Sequence, residues 1–255
     1  MLGNGLVNGM YNPAMVWCSD RSAHCDGVND QIEITNFGNL SADQRTGFSV
    51  KGAISFWVYP DNAGTSCLLK ATFSNSKYMT VRYDDDNEQV VFMATADDGD
   101  PETGSSIQYD FTTSAYQESM THIVITWDQL SSNSMNMWVN GTLSGDQSDF
   151  PEWSECTINS MVFGSNGSSS FFAGEISDIA FYSDRLNEPL VAPMYNDGVP
   201  TNEQFRRKIL MYWTLAESDW SDSVNQNSTP VLNQGAPSIV TPLTYVGAQN
   251  KSKQT

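Results

Sequence analysis

The chain has 255 residues, enough to bury a full core in one all-β domain. Its 30 acidic against 12 basic residues give a formal charge of -18, which repels phosphate backbones and excludes nucleic acid as an expected partner. No apolar run reaches the roughly 18 residues that cross a bilayer, so no membrane insertion is expected.

Residues 1–16 are rich in Gly and Asn and read as an arm. They hold no basic region and no continuous apolar segment, so a secretory leader is not expected and use without export is. A short strand is expected from Met15 to Cys18. In Cys25-Asp-Gly-Val-Asn-Asp-Gln-Ile-Glu-Ile34, Asp26-Gly27 marks a turn, and Ile32 and Ile34 alternate with Gln31 and Glu33. Residues 38–51 read as a loop leading into Gly52-Ala-Ile-Ser-Phe-Trp-Val-Tyr-Pro-Asp61. There Ile54, Phe56 and Val58 point one way and Ser55, Trp57 and Tyr59 the other, the period of a strand with one face on a core. Pro60 ends it, because proline cannot donate to a ladder.

Further strands are expected at Cys67–Lys70, Tyr78–Tyr83, Gln89–Ala94 and Ile107–Phe111. The second and third of these flank an acidic hairpin tip, and residues 97–106 form a second acidic loop. Thr121–Asp128 pairs with Asn136–Gly141, with the tight turn placed at Asn140-Gly141. Thr157–Gly164 and Phe171–Tyr182 follow as strands, the latter with Ile179 and Phe181 on one face and Asp178 and Ala180 on the other. At Leu186–Tyr195 the period changes to that of one short helix, with Asn187 as cap and Pro189 in its first turn. Ile209–Leu215 reads as a strand returning to the sandwich, and Asn225–Pro237 as turn-rich. About a dozen short strands and one helix imply an all-β sandwich or jelly roll of two antiparallel sheets. It is expected as a single domain over residues 17–245, with 246–255 a flexible tail.

Four of these segments, in order, resemble the laminin-G-type branch of the concanavalin A-like jelly rolls. They are Cys25–Ile34, Ala53–Pro60, the pair His122–Asp128 with Met137–Gly141, and Phe172–Tyr182 with its helix to Tyr195. The resemblance covers roughly Trp17 to Gly198. Cys25 stands where that family usually has an aromatic residue. The tail is similar to an extension found after this domain in virion proteins of bacteriophages and large aquatic viruses. It rests on Tyr195–Thr201, Leu210-Met-Tyr-Trp-Thr-Leu215 and Asp222-Ser-Val-Asn225.

Glucanases on this fold set two carboxylates about 5 Å apart, one as nucleophile and one as acid. Glu175 with Asp178, and Asp30 with Glu33, have an odd spacing that splits them across a strand. Asp84, Asp86 and Glu88 alternate correctly but sit at a hairpin tip without apolar neighbours. His24 and His122 look isolated, and no Ser/His/Asp constellation emerges. No catalytic residue is therefore assigned, and the protein is expected not to be an enzyme.

Hard cations want several oxygen ligands. Asp97, Asp98, Asp100 and Glu102 crowd one loop and Asp84, Asp85, Asp86 and Glu88 another, while Asp26, Asn29, Asp30 and Asp178 match acidic positions of the resembled family, whose members often carry calcium. Calcium is thus the expected ion, set against the plainer reading of these acids as turn residues and solvated charges. For a sugar ligand, Trp57, Trp127 and Trp138 lie on strand patterns and read as core. Trp153, in Phe150-Pro-Glu-Trp-Ser154, is the expected loop platform, with Asp97 and Glu102 as companions. Cys18, Cys25, Cys67 and Cys156 allow three full pairings, and free thiols are the plainer reading. A metal site at Cys18, His24 and Cys25 has no recognised zinc spacing.

These observations point to a non-catalytic module for assembly or surface display on a virion, in contact with other virion proteins, its own copies or host glycans. A calcium-dependent, secreted sugar-binding module is the alternative, and a glycoside hydrolase the third reading.

Overall fold

In a computed structural model the chain is described over residues 22–213, except 36, 38–39, 62–63, 85, 96–103, 111–119, 132–134, 145–149, 152, 154–155 and 196–208, and again at 231–232 and 238–240. The expected arm, tail and Met15–Cys18 strand lie outside the described residues.

The strands are β1 (Ser22–Asp26), β2 (Ile32–Ile34), β3 (Lys51–Pro60), β4 (Ser66–Phe73), β5 (Tyr78–Asp84), β6 (Gln89–Ala94), β7 (Ser105–Asp110), β8 (Thr121–Asp128), β9 (Met135–Val139), β10 (Thr142–Leu143), β11 (Ile158–Phe163), β12 (Ala173–Tyr182), β13 (Ile209–Trp213), β14 (Val231–Leu232) and β15 (Ser238–Val240). Among the described residues two α-helices join them, α1 (Ala42–Val50) and α2 (Glu188–Tyr195). One sheet runs β10-β9-β8-β3-β12-β1-β15, with β13 also beside β12; the other runs β14-β2-β11-β4-β5-β6-β7. Every strand pairing is antiparallel.

β3 is central to the first sheet, between β8 and β12. Its alternation holds: Ile54, Phe56 and Val58 enter the core between the sheets. Trp57 and Ala53 face outward, but that face is covered too, chiefly by Leu186, Val191 and Met194 around α2. β3 is therefore buried on both faces.

Two sequence expectations are corrected. Residues 38–51 are not all loop, because Ser41 caps α1 with a reciprocal box. Ser41 Oγ accepts from Gln44 N at 3.2 Å, and Ser41 N donates to Gln44 Oε1 at 2.8 Å. The helix plugs the end of the core with Phe48, whose ring meets Trp127 edge-on at 4.9 Å while the indole N–H donates to Phe48 O at 2.9 Å. Second, Asn140 (φ 49°) and Gly141 (φ 77°) do form a tight turn, but it joins β9 to β10 rather than β8 to β9. Within the stretch 225–237, β14 pairs with β2. The return strand is present as β13 beside β12.

β12 holds the least regular feature of this sheet. Ile176, Ile179 and Phe181 all reach the core, so one extra residue separates the first two. That is a bulge between Ser177 and Ala180, with Asp178 at φ 50°. The second neighbour of β12 changes from β1 to β13 across it.

Candidate functional site

Asp26, Pro60 and Ala173 lie at one end of the first sheet. The β1–β2 and β11–β12 connections meet there. Asp26 Oδ1 accepts from Val28 N at 2.8 Å and from Asn29 N at 3.4 Å, folding the chain back on its own side chain. Asp30 Oδ2 accepts from Asp26 N at 3.0 Å. Gly27 takes φ 77° close against Ala173, where a side chain would not fit. On the facing loop Ser165 Oγ donates to Gln31 Oε1 at 2.5 Å and accepts from Gly167 N at 2.9 Å. Asn166 Oδ1 accepts from Ser168 N and Ser169 N at 3.1 and 2.9 Å. His24 Nε2 and Asp61 Oδ2 lie 3.1 Å apart beside them.

The result is a rim of pinned loops carrying hydrogen-bonding groups. Asp26, Asn29, Asp61 and Ser168 to Ser170 are exposed on it. A rigid scaffold presenting amide, hydroxyl and carboxylate groups on loops can orient a polar ligand at little entropic cost. His24, expected as isolated, instead pairs with Asp61.

The expected metal set does not converge. Asp26, Asn29 and Asp30 share one loop, but the two carboxylates already accept from that loop's own N–H groups, and Asp30 is buried. Asp178 lies five residues beyond Ala173 along β12, on the order of 16 Å away at the usual strand rise, and is buried in the bulge. Among the described residues no group of three or more His, Cys, Asp or Glu is placed to hold a metal ion. The described acids therefore do not fit the calcium implied by the resemblance. Asp97, Asp98, Asp100 and Glu102 lie outside the described residues.

Trp153 is also corrected. It is 0% exposed, packs on Phe73 and Phe150 at 5.1 Å each, and donates its indole N–H to Thr95 O at 2.7 Å. No ring face is left for a sugar. Trp57, Trp127 and Trp138 are buried, as their strand patterns indicated.

The acids weighed for catalysis lie on both sheets. Asp84 sits at the β5–β6 tip, where the Asn87 side chain, donating at 2.9 Å, holds its carboxyl below the usual range. Glu175 is buried and accepts from Ser22 Oγ at 2.7 Å. The opposite-face argument for Glu175 and Asp178 assumed an unbroken strand, and the bulge removes that premise.

One pairing escaped the sequence. Ser55 Oγ and His122 Nε2 are hydrogen-bonded at 2.8 Å on the outer face of β3 and β8. His122 stacks on Trp57 at 4.9 Å and lies near Tyr195 at 6.5 Å. In form this is a nucleophile and base. In setting it is structural, because both side chains are buried and burial alone lowers the imidazole to about 3, far below a useful base at neutral pH. Only the cross-strand register shows the pair, and register is not written in either strand. Cys25 and Cys67 are free and buried, Cys156 is buried in the core, and burial pushes the Cys67 thiol up to about 12.

Comparison with known proteins places this geometry. A search of curated proteins returned no match to the sequence. Among solved structures, a heptameric SAP-like pentraxin from Limulus polyphemus superposes with a TM-score of 0.58 at 9% identity, over 90% of this chain and 98% of that one. A putative carbohydrate-binding protein from Bacteroides ovatus gives 0.59 at 12%, over 89% of this chain and 62% of that one. The ligand-binding domain of botulinum neurotoxin serotype D, solved with N-acetylneuraminic acid, gives 0.52 at 14%, over 69% and 41%. At these identities the likeness is one of fold. A laminin-G-type family model matches residues 26–192. With well over half of its length matched, the chain belongs to the concanavalin A-like lectin/glucanase superfamily.

Proposed function

We propose that this protein is a non-catalytic recognition module that binds glycans through the rim formed by the β1–β2 and β11–β12 loops. The observation that carries this reading is the rim itself. Its loops are fixed by the Ser165–Gln31 and Asp26–Asp30 hydrogen bonds while hydroxyl, amide and carboxylate groups stay exposed. Sugars are recognised by such convergent polar groups held on a rigid frame. Membership of a superfamily of lectins and glucanases supports the ligand class. The buried, weakly basic Ser55–His122 pair favours binding over turnover.

We further propose that the module is displayed on a virion, beside other virion proteins or its own copies. That setting is supported by the tail resemblance, whose Trp-bearing segment is the strand β13. A glycan array probed with the full chain, with and without a calcium chelator, tests the ligand class. Reproducible binding without product formation is expected. Loss on chelation would move attention to the acidic stretch at 97–102. Release of sugar product would overturn the non-catalytic reading, and no binding in either condition would overturn the glycan reading.

A further inference from the structure

Helix α2 covers the outer face of the first sheet in an unusual way. Its own cohesion is weak. It has eight residues, short for a helix that must hold itself together, and Pro193 lies inside it. Proline has no N–H, so the bond from position 193 back to Pro189 O is missing. Leu186, Leu190, Val191 and Met194 seat it on Ala53, Val124, Trp138, Ala180 and Tyr182.

The face beneath is not purely apolar. Trp138 Nε1, Tyr182 Oη, Thr126 Oγ1 and His122 Nδ1 are buried there with no hydrogen-bond partner among the described residues. Strand register puts all four on this one face. Tyr182, Ala53, Thr126 and Asn136 form one row across β12, β3, β8 and β9; Trp138 pairs with Val124, and His122 with Trp57. Each unmet group carries the cost of its lost hydration, and opening the helix would return that cost.

Both ends of the helix are held by contacts with the sheet and its loops. Just before it, Lys51 Nζ lies 3.0 Å from Asp184, and Arg185 Nη1 donates to Ser131 Oγ at 2.8 Å. With the Asn136 amide turned to suit its neighbours, Arg185 Nη2 also donates to that side-chain oxygen at 2.5 Å. At the far end Tyr195 stacks on Trp57 at 6.0 Å, and Tyr195 and Ala192 lie close against Gly141 in the β9–β10 turn.

We infer that α2 is a detachable cover over an aromatic and polar face of β3, β8, β9 and β12. Opening of this kind is local unfolding that leaves the inter-sheet core closed. It uncovers the Trp57, His122 and Trp138 rings together with hydrogen-bonding groups that the closed state leaves unmet.

The protein contains its own reference for a test. Cys25 and Cys156 lie in the inter-sheet core and Cys67 is buried beside it. A thiol placed under the helix as Val124→Cys, in a Cys18→Ser background, is exposed to a thiol reagent in native buffer, and all four labelling rates are read by peptide mass spectrometry. The introduced thiol is expected to label at least about 100-fold faster than the native three, with little dependence on added urea. Pro193→Ala, which restores the missing helix bond, is expected to slow that labelling and leave the native cysteines unchanged. Ala180→Cys repeats the test if Val124→Cys fails to fold. Labelling at the rate of the native cysteines, with the same urea dependence, would show that α2 opens only when the whole protein unfolds and would overturn the inference.

Discussion

Acid should unfold this protein through one histidine before most of its carboxylates titrate. His122 is 2% exposed, and burial lowers it from 6.5 to about 3. The sign follows from proton binding. Between these values the unfolded chain carries the proton and the folded chain does not, so stability falls as pH falls from about 6.5 towards 3. A shift of this size is worth up to about 5 kcal/mol when complete, at about 1.4 kcal/mol per unit. By pH 5 about 2 kcal/mol of it should already be lost. The clean perturbation is the double change His122→Phe with Ser55→Ala, which keeps a ring against Trp57 and leaves no orphan hydroxyl. Urea midpoints followed by tryptophan fluorescence at pH 7 and pH 5 read the effect. The wild type should lose about 2 kcal/mol more than the variant on going to pH 5. Equal losses in the two proteins would refute the reasoning.

Three further expectations concern the frame. Trp153→Ala should cost about 3–5 kcal/mol in the urea midpoint, because it empties a packed site and strands Thr95 O; a loss below about 1 kcal/mol would return Trp153 to the surface. Gly52→Ala should cost about 1–3 kcal/mol by overpacking, since a Cβ there lies 2.7 Å from the Trp127 ring and 3.0 Å from Tyr182 O; calorimetry showing no change in Tm would contradict that contact. Ser41→Ala should cost about 1 kcal/mol by opening the capping box of α1, and Ser41→Asp should recover most of it.

Much of the fold was legible because burial writes itself as period. Ile54, Phe56 and Val58 in β3 alternate with residues on a second face, and that pattern marks a strand whatever lies beyond it. The helix α1 was hidden for the converse reason. It buries only Phe48 and Ser49, includes Gly47, and shows no apolar stripe. Its one signal was Ser41 with Gln44 three residues on, a capping box read as part of a loop. Trp153 misled because it stands beside Pro151 in a turn-like stretch, yet its indole dives between Phe73 and Phe150. The bulge at Asp178 leaves no mark in the alternation, and it altered the facing of Glu175 relative to the residues after it. The rim was half visible. Asp26-Gly27 announced a turn, but its docking on Ser165, more than a hundred positions away, depends on a register that no local pattern encodes.

The most direct test of glycan recognition through this rim puts two proteins on one glycan array: the full chain, and the same chain with Asn29→Ala and Ser169→Ala. Both changes lie on exposed loop positions and leave the sheets intact. The full chain should bind a defined set of glycans, and the double variant should lose at least about tenfold in apparent affinity for each, the effect of roughly one or two hydrogen bonds. Equal binding by both proteins, or binding by neither, would contradict the rim as the recognition site.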